Sequence, residues 1–265
     1  MSVIVLVGCG KMGSALLAGW LERGVAAADV VVVDPHARDL PDGVVRLASA
    51  ALLPATLVPD VVVLAVKPQM MAEVLPAYAR LAGRSLFLSI AAGKPLSFFR
   101  RHLGAEAAIV RAMPNTPAAV RRGITVCYGD GAVGAEARAR CQSLLEAVGE
   151  VAWIDDEAQM DAVTAVSGSG PAYVFLLAET LAAAGRAAGL PAALAERLAR
   201  ATVSGAGELL RLSSDEAAQL RVNVTSPGGT TAAALAVLMD AERGLAPLLA
   251  EAVAAATRRG KELAG

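Results

Sequence analysis

The sequence predicts an α/β protein in which a doubly wound parallel sheet is followed by an all-helical domain. Short apolar runs rich in β-branched residues recur in the first part of the chain, separated by glycine, proline or polar residues. Continuous apolar runs are typical of strands in a parallel sheet that is covered on both faces. After Asp156 these runs vanish and the chain becomes rich in alanine and leucine, which favour helices. We therefore expect two domains, over residues 1–156 and 157–265.

The apolar runs give the order of the predicted elements in the first domain. Strands are expected at residues 3–7, 29–34, 60–66, 85–90, 108–113, 124–128 and 151–154. Helices are expected near residues 11–23 and 135–148. Alternation of strands and helices is typical of a doubly wound sheet.

The second domain is predicted to be helical throughout. Its helices are expected near residues 157–166, 172–188, 192–212, 230–243 and 245–263, with Pro191 at a helix start and Gly189 and Gly244 at helix ends. Residues 173–178 are apolar on more than one face, and a helix that is apolar all round is usually buried on all sides. A domain of this size would struggle to cover such helices alone, so we predict that this half forms a core between subunits.

Composition excludes several classes of protein. Hydrophobic residues make up 55% and charged residues 18%, which excludes a disordered chain. A net charge of -1 and 3% aromatic residues argue against nucleic-acid binding. Three dispersed cysteines and two lone histidines indicate neither a disulfide framework, a metal site nor a Ser-His-Asp triad. The N-terminus is interpreted as a first strand rather than a signal peptide. Charged residues interrupt the apolar stretch 172–190, so this stretch is not expected to span a membrane. We therefore expect a cytoplasmic protein without a membrane partner.

A glycine motif follows the first predicted strand and opens the first predicted helix. Residues 8–13 read Gly-Cys-Gly-Lys-Met-Gly, and Asp34 ends the second strand 21 residues after Gly13. This context is that of a Rossmann dinucleotide-binding site. Gly8 permits the tight turn, Gly10 lets the backbone approach the pyrophosphate, and Gly13 allows close packing of helix on strand. The helix N-terminus, with Lys11 and Met12, offers N–H groups to the anion.

Asp34 leaves the choice between NAD and NADP open. A carboxylate at this position can accept hydrogen bonds from the ribose hydroxyls and would repel a 2′-phosphate. His36 and Arg38 follow at once and could bind that phosphate if Asp34 turned aside.

Other candidate ligand contacts lie where predicted strands end. Lys67 and Pro68 follow one strand, and Asn115 follows another in the segment Met-Pro-Asn-Thr-Pro of residues 113–117. Doubly wound sheets bind ligands at the carboxyl ends of their strands. Structural turns are the alternative interpretation, but their shared edge favours ligand binding.

Two further motifs lie in the helical half. Residues 226–231 read Ser-Pro-Gly-Gly-Thr-Thr and open the helix predicted from Thr230. Free N–H groups at a helix start can form a carboxylate site, although Thr230 could instead be a simple N-cap. The segment Ser-Gly-Ser-Gly-Pro of residues 167–171 could contact a ligand, but close packing between helices explains it at least as well.

These motifs together resemble the pyrroline-5-carboxylate reductase family. The resemblance spans nearly the whole chain and rests on residues 8–13, 65–68, 89–93, 113–117, 161–164, 167–173 and 226–231. It implies a Rossmann domain with a helical dimerisation domain, and reduction of 1-pyrroline-5-carboxylate to L-proline, usually with NADPH. It also implies a homodimer through interleaved helical domains, often assembled further, commonly to decamers.

The resemblance also implies roles for individual residues. The substrate carboxylate would be held by Ser226, Gly228, Gly229, Thr230 and Thr231, and Thr231 would act near the imine nitrogen as the catalytic residue. The expected cofactor contacts are Gly8, Gly10, Lys11, Met12, Gly13, Asp34, Val66, Lys67, Pro68, Ala91, Met113 and Asn115. Many members carry a small polar residue in place of Asp34, so the expected cofactor is NADP with NAD as the alternative. Asp215 and Glu216 are both candidates for an acidic residue that some members place upstream of the substrate motif.

Two rival functions share parts of this pattern. A β-hydroxyacid dehydrogenase has the same plan but normally uses a lysine from its helical domain, and residues 157–260 contain none. A non-catalytic dinucleotide sensor would not need the second anion-binding loop. The reductase interpretation requires the two anion-binding loops to face one cleft.

Overall fold

The computed structural model describes residues 3–264, which form two compact units. One unit comprises the described residues up to Gly168 together with those from Ala256 onward, and the other is Ser169–Ala255. The first unit therefore includes residues 157–168, which follow the domain boundary predicted after Asp156.

A single sheet organises the first unit. In the described residues it contains β1 to β8, in the order β3-β2-β1-β4-β5-β6-β7-β8, and every neighbouring pair is parallel except β6 and β7. The strands are β1 Ile4–Val7, β2 Val30–Val33, β3 Val45–Leu47, β4 Val61–Leu64, β5 Leu86–Ser89, β6 Ala108–Met113, β7 Gly123–Tyr128 and β8 Gly149–Trp153.

Helices cover both faces of this sheet and bury two separate cores. Helices α1 Lys11–Glu22 and α4 Ala135–Leu145 contribute to one core, where the indole N–H of Trp20 donates to the carbonyl of Leu144 at 2.8 Å. Helix α2 Met71–Val74, the 3-10 segment Leu75–Leu81 and helix α3 Leu96–Leu103 contribute to the other. The predicted doubly wound fold is confirmed.

The sheet differs from the prediction at two places. The short edge strand β3 was not expected, because a three-residue run containing Arg46 gives little strand signal. The pair β6 and β7 is antiparallel because the connection between Met113 and Gly123 is shorter than the dozen or so residues that a parallel crossover needs.

A helical run follows the sheet and ends the first part of the chain. It begins with the 3-10 turn Glu157–Gln159, continues as α5 Met160–Val163 and ends in a π-helical turn, Thr164–Gly168. The uniform helix expected at residues 157–166 is therefore a sequence of three helix types.

The second unit is built of helices, with α6 and α7 as an adjacent pair. Its elements are α6 Gly170–Ala187, α7 Ala192–Leu212, α8 Ala217–Asn223, α9 Thr230–Leu238 and the first part of α10 Leu245–Ala264. Pro191 is the N-cap of α7 and Gly189 follows α6 with a φ of 95°, as predicted.

Two helices of this unit differ from the prediction. Helix α8 was not expected, since its seven residues are too few for a clear helical period. Helix α9 ends at Leu238 rather than Arg243, because the Asp240 carboxylate accepts the N–H groups of Glu242 and Arg243 in a separate turn.

The helical unit leaves most of its apolar side chains uncovered. Within Ser169–Ala255, the buried side chains are those of Ala182, Ala195 and Ala199. Phe175 on α6 is 68% exposed and Val237 on α9 is 72% exposed. None of the helices in residues 3–264 meets the length and hydropathy needed to cross a bilayer.

Candidate functional site

The glycine motif forms a tight loop between β1 and α1. Gly8 has a φ of 88°, and a Cβ there would lie 2.9 Å from the carbonyl of Ala65 after β4. A Cβ on Gly13 would lie 2.4 Å from the carbonyl oxygen of Gly8. Gly10 is different, because among residues 3–264 no atom outside Gly10 and its two chain neighbours lies within 4 Å of where its Cβ would be. Gly8 and Gly13 are therefore required by packing, whereas Gly10 leaves open space in front of the loop.

The N-terminus of α1 is suited to an anion. Gly10 is its N-cap, and no side chain caps the helix. The first N–H groups of a helix, from Lys11 onward, have no intrahelical acceptor, and the helix dipole adds positive charge. The open space at Gly10 and these N–H groups fit the pyrophosphate of a dinucleotide.

Asp34 is tied to this loop by its side chain. One carboxylate oxygen, Oδ2, accepts the N–H of Cys9 at 2.7 Å, and the other, Oδ1, accepts the N–H of His36 at 2.7 Å. Its own N–H donates to the carbonyl of Leu47 at 3.0 Å. The residue predicted to contact the adenosine ribose is thus adjacent to the glycine loop.

Four more predicted cofactor residues follow the carboxyl ends of two other parallel strands. Val66, Lys67 and Pro68 follow β4, and Ala91 follows β5. Lys67 is exposed, and Ala91 is buried with its N–H donating to the Ser89 hydroxyl at 3.3 Å. This common edge is where doubly wound sheets bind ligands.

A small groove lies beside these strand ends. Its volume is about 210 Å³, and it is lined by Pro68, Gln69, Ala92, Gly93, Lys94, Asp161, Thr164, Gly260 and Leu263. Ligand pockets for drug-sized molecules are usually about 300–1,000 Å³. The groove could therefore hold only part of a dinucleotide.

The segment after β6 is stiffened by hydrogen bonding. The side-chain oxygen of Asn115 accepts the N–H of Ile124 at 3.0 Å, which uses one of its two acceptor positions, while its NH₂ group keeps both donors. A Cβ on Gly168 would lie 2.4 Å from Cε of Met113. Gly168 therefore lies against the end of the flexible Met113 side chain of β6, which could move to admit a Cβ. Helix packing as the reason for the Ser-Gly-Ser-Gly-Pro segment stays a prediction.

An ion pair that the sequence did not indicate supports the loop after β5. The buried Arg111 on β6 donates from Nη1 to Oε1 of Glu157 at 2.6 Å, and the same oxygen accepts the N–H of Leu96 at 2.7 Å. Glu157 thereby caps the start of α3. The only signal in the sequence was an arginine inside an apolar strand, and its partner is 46 residues away.

The candidate substrate motif lies in the helical unit and forms a tight turn before α9. The N–H of Gly229 donates to the carbonyl of Ser226 at 3.1 Å, and Gly228 has a φ of 68°. Proline followed by a glycine with positive φ is typical of a type II turn. Ser226, Gly228 and Thr230 are exposed, while Gly229 and Thr231 are half-buried.

The helix that follows this turn also has a free N-terminus. The N-cap of α9 is Gly229, and no side chain caps the helix. The alternative in which Thr230 serves as the N-cap is therefore wrong. Thr230 and Thr231 occupy the first two helical positions, where backbone N–H groups point out of the helix.

The two acidic candidates that precede the substrate motif lie at the start of α8. Asp215 is exposed and accepts a long hydrogen bond of 3.5 Å from Asn223, and Glu216 is the N-cap residue of α8.

Potential metal-binding side chains do not form a group among residues 3–264. These residues contain no group of three or more histidine, cysteine, aspartate or glutamate residues that could hold a metal ion. All three cysteines are free, and burial raises the pKa of each thiol, for Cys141 to about 12. These thiols are therefore poor nucleophiles and poor metal ligands at neutral pH.

Family models match both parts of the chain. Residues 157–263 match the model described as pyrroline-5-carboxylate reductase dimerisation. Residues 3–93 match the model described as NADP oxidoreductase, coenzyme F420-dependent.

Named relatives match over nearly their full lengths. The pyrroline-5-carboxylate reductase of Pseudomonas aeruginosa is 42% identical over 98% of this chain and 96% of the relative. That of Synechocystis is 42% identical over 97% of each.

Solved structures extend this similarity to three dimensions. A pyrroline-5-carboxylate reductase from Coxiella burnetii superposes with a TM-score of 0.89 at 35% identity, covering 100% of this chain and 99% of the other. A Plasmodium falciparum pyrroline carboxylate reductase with NADP bound gives a TM-score of 0.85 at 29% identity, covering 100% and 98%. The family resemblance seen in the motifs is confirmed, and the chain belongs to the pyrroline-5-carboxylate reductase family.

Proposed function

We propose that this chain reduces 1-pyrroline-5-carboxylate to L-proline with a hydride from NAD(P)H, the last step of proline biosynthesis. The observation that carries the proposal is 42% identity to a pyrroline-5-carboxylate reductase over 98% of the chain. The glycine loop and the uncapped N-terminus of α9 supply the two anion sites that this reaction needs, one in each unit.

The glycine loop would hold the dinucleotide. Gly8 and Gly13 keep the loop tight, and the space at Gly10 admits the pyrophosphate to the N–H groups of Lys11 and Met12. The other proposed contacts are Asp34, Val66, Lys67, Pro68, Ala91, Met113 and Asn115. The family favours NADPH, and a solved relative has NADP bound, whereas the Asp34 carboxylate disfavours a 2′-phosphate.

The turn before α9 would hold the substrate carboxylate. Ser226, Gly228 and Gly229 shape the turn, and the first N–H groups of α9, from Thr230 and Thr231, would donate to the carboxylate oxygens. The helix dipole favours an anion at this position. This arrangement orients the ring so that the carbon of its protonated imine can receive the hydride, and the proton already on the ring nitrogen stays there in the amine of proline.

The chain's contribution to the reaction is then mainly positioning. When bound, the reduced nicotinamide supplies the hydride. The Thr231 hydroxyl would hydrogen-bond at the ring nitrogen and keep the imine in the reactive orientation, because correct placement of two reactants removes much of the barrier. No metal, nucleophile or strong base is assigned a role.

The test measures the reduction of 1-pyrroline-5-carboxylate by monitoring the loss of the absorbance band of the reduced nicotinamide. The Thr231→Ala variant should lower kcat by about ten- to a hundredfold, and Thr231→Ser, which keeps the hydroxyl, should lower it much less. Equal kcat for wild type and Thr231→Ala would remove the proposed role of Thr231. No oxidation of cofactor by the wild type would instead favour a dinucleotide sensor.

We further propose that the exposed apolar helices of Ser169–Ala255 form a homodimer interface. Phe175, Val237 and their neighbours are apolar and uncovered in a single chain, and residues 157–263 match the family's dimerisation region. Assembly to a decamer, a cytoplasmic location and the division into domains 1–156 and 157–265 stay predictions.

A further inference from the structure

We infer that Asp34 makes this chain bind NADH more tightly than NADPH, so that this side chain sets the cofactor preference. The inference rests on the proposed function, since it concerns the dinucleotide site of that function. It goes beyond it by naming which form of the cofactor the site prefers.

The Asp34 carboxylate is held from two sides. The N–H of Cys9, inside the glycine loop, and the N–H of His36, in the next turn, each donate to a different carboxylate oxygen at 2.7 Å. The backbone of Asp34 is also fixed, because its N–H donates to Leu47 on β3. Turning the side chain aside would leave two backbone donors without their acceptors. The rearrangement needed to admit a 2′-phosphate is therefore disfavoured.

The held carboxylate can still accept hydrogen bonds from a ribose. An ionised carboxylate has about four acceptor positions on two oxygens, and the two backbone N–H groups use two of them. Ribose hydroxyl groups can donate to the others. A 2′-phosphate has no such donor when fully ionised and carries negative charge, so it meets repulsion at the same oxygens.

The neighbouring cations offset part of this repulsion. Arg46 donates from Nη2 to the carbonyl of Pro35 at 2.8 Å and from Nε to the carbonyl of Asp34 at 3.4 Å, which engages its guanidinium with backbone oxygens. His36 and Arg38 are exposed, and exposed charges contribute little in water. These groups screen the repulsion without replacing the carboxylate, so NADPH should bind more weakly but still bind.

The experiment measures the dissociation constants of NADH and NADPH by nicotinamide fluorescence, without substrate. Wild type should bind NADH on the order of tenfold more tightly than NADPH. Asp34→Ser, which removes the charge, should shift this ratio toward NADPH by a similar factor. The matched control is Asp42→Ser, an exposed acidic residue before β3, which should leave the ratio unchanged.

The ratio separates specificity from a purely structural role. If Asp34 only supported the glycine loop, Asp34→Ser would weaken the binding of NADH and NADPH by the same factor. The ratio of their dissociation constants would then stay unchanged, which would overturn the inference. Tighter binding of NADPH by the wild type would overturn it as well. If neither cofactor bound, the proposed function would fail too. If both bound with the expected ratio but the imine were not reduced, only the proposed function would fail.

Discussion

Replacing Gly13 or Gly10 by alanine separates the two tasks of the glycine loop, packing and cofactor binding. At Gly13 the new Cβ would lie 2.4 Å from the carbonyl oxygen of Gly8, far inside a normal contact, so the loop and α1 must move apart. Overpacking of this kind costs about 1–3 kcal/mol in the free energy of unfolding. At roughly 2–4 °C per kcal/mol for a chain of this size, Gly13→Ala should lower Tm by roughly 2–12 °C.

Gly10→Ala should behave differently. Apart from its two chain neighbours, no described residue has an atom within 4 Å of its Cβ position. Its φ of -72° and ψ of -163° are accessible to alanine. Loss of a favourable N-cap residue should cost less than about 1 kcal/mol. The methyl group would nevertheless fill the space that the pyrophosphate approaches. Affinity for NADH should fall at least about tenfold, which is about 1.4 kcal/mol.

The assay has two parts, each done on both variants and the wild type. Thermal unfolding measures Tm, and titration with NADH followed by fluorescence measures its dissociation constant. We expect Gly13→Ala to lose both stability and affinity for NADH, and Gly10→Ala to lose affinity with a smaller loss of stability. Wild-type affinity in Gly10→Ala would show that the pyrophosphate does not approach this residue. Wild-type Tm in Gly13→Ala would refute the packing argument.

The remaining predictions concern the apolar helices and the buried thiols. Phe175→Glu should raise the dissociation constant of the dimer at least about a hundredfold. Burying one phenylalanine contributes about 1.5–3 kcal/mol, and a symmetric interface buries two of them. Light scattering after size exclusion, at several protein concentrations, measures the fraction of dimer. Burial raises the pKa of Cys141 to about 12 and that of Cys127 still further, so less thiolate is present at pH 8 than in a free thiol. Both should resist a thiol-specific disulfide reagent in the folded protein and react once it is denatured.

Each of these predictions has its own control. For the interface, Arg84→Glu places the same charge on an exposed site of the sheet unit and should leave the dimer intact. A dimer unchanged by Phe175→Glu would place the interface elsewhere. For the thiols, rapid reaction of Cys127 or Cys141 in the folded protein, at the rate of the denatured chain, would contradict their burial.

The agreement between sequence and structure is best where the signal is local. The run of valines at residues 30–33 specifies a buried strand, and the spacing of Gly8, Gly10 and Gly13 specifies a strand, a tight turn and a helix. Such signals lie within a few residues, because side-chain period and backbone freedom are local properties. The short β3 and α8 contain too few residues to show a period, so they were missed.

The candidate site divides in the same way. Its residue types and their spacing could be read directly, including Asp34 at the end of the second strand. Whether that carboxylate could turn aside could not be read, because its partner Cys9 lies 25 residues earlier in the chain. The pairing of Arg111 with Glu157 was invisible for the same reason.

By itself, the sequence determined the fold class, the nucleotide-binding motif and the family, because each is specified by residues close together or by motifs in a fixed order. Only the tertiary structure decided that Gly13 is required by packing, that Gly10 faces open space and that Asp34 is held by two backbone N–H groups. These properties depend on distances between segments far apart in the chain, and such distances exist only once the sheet has formed.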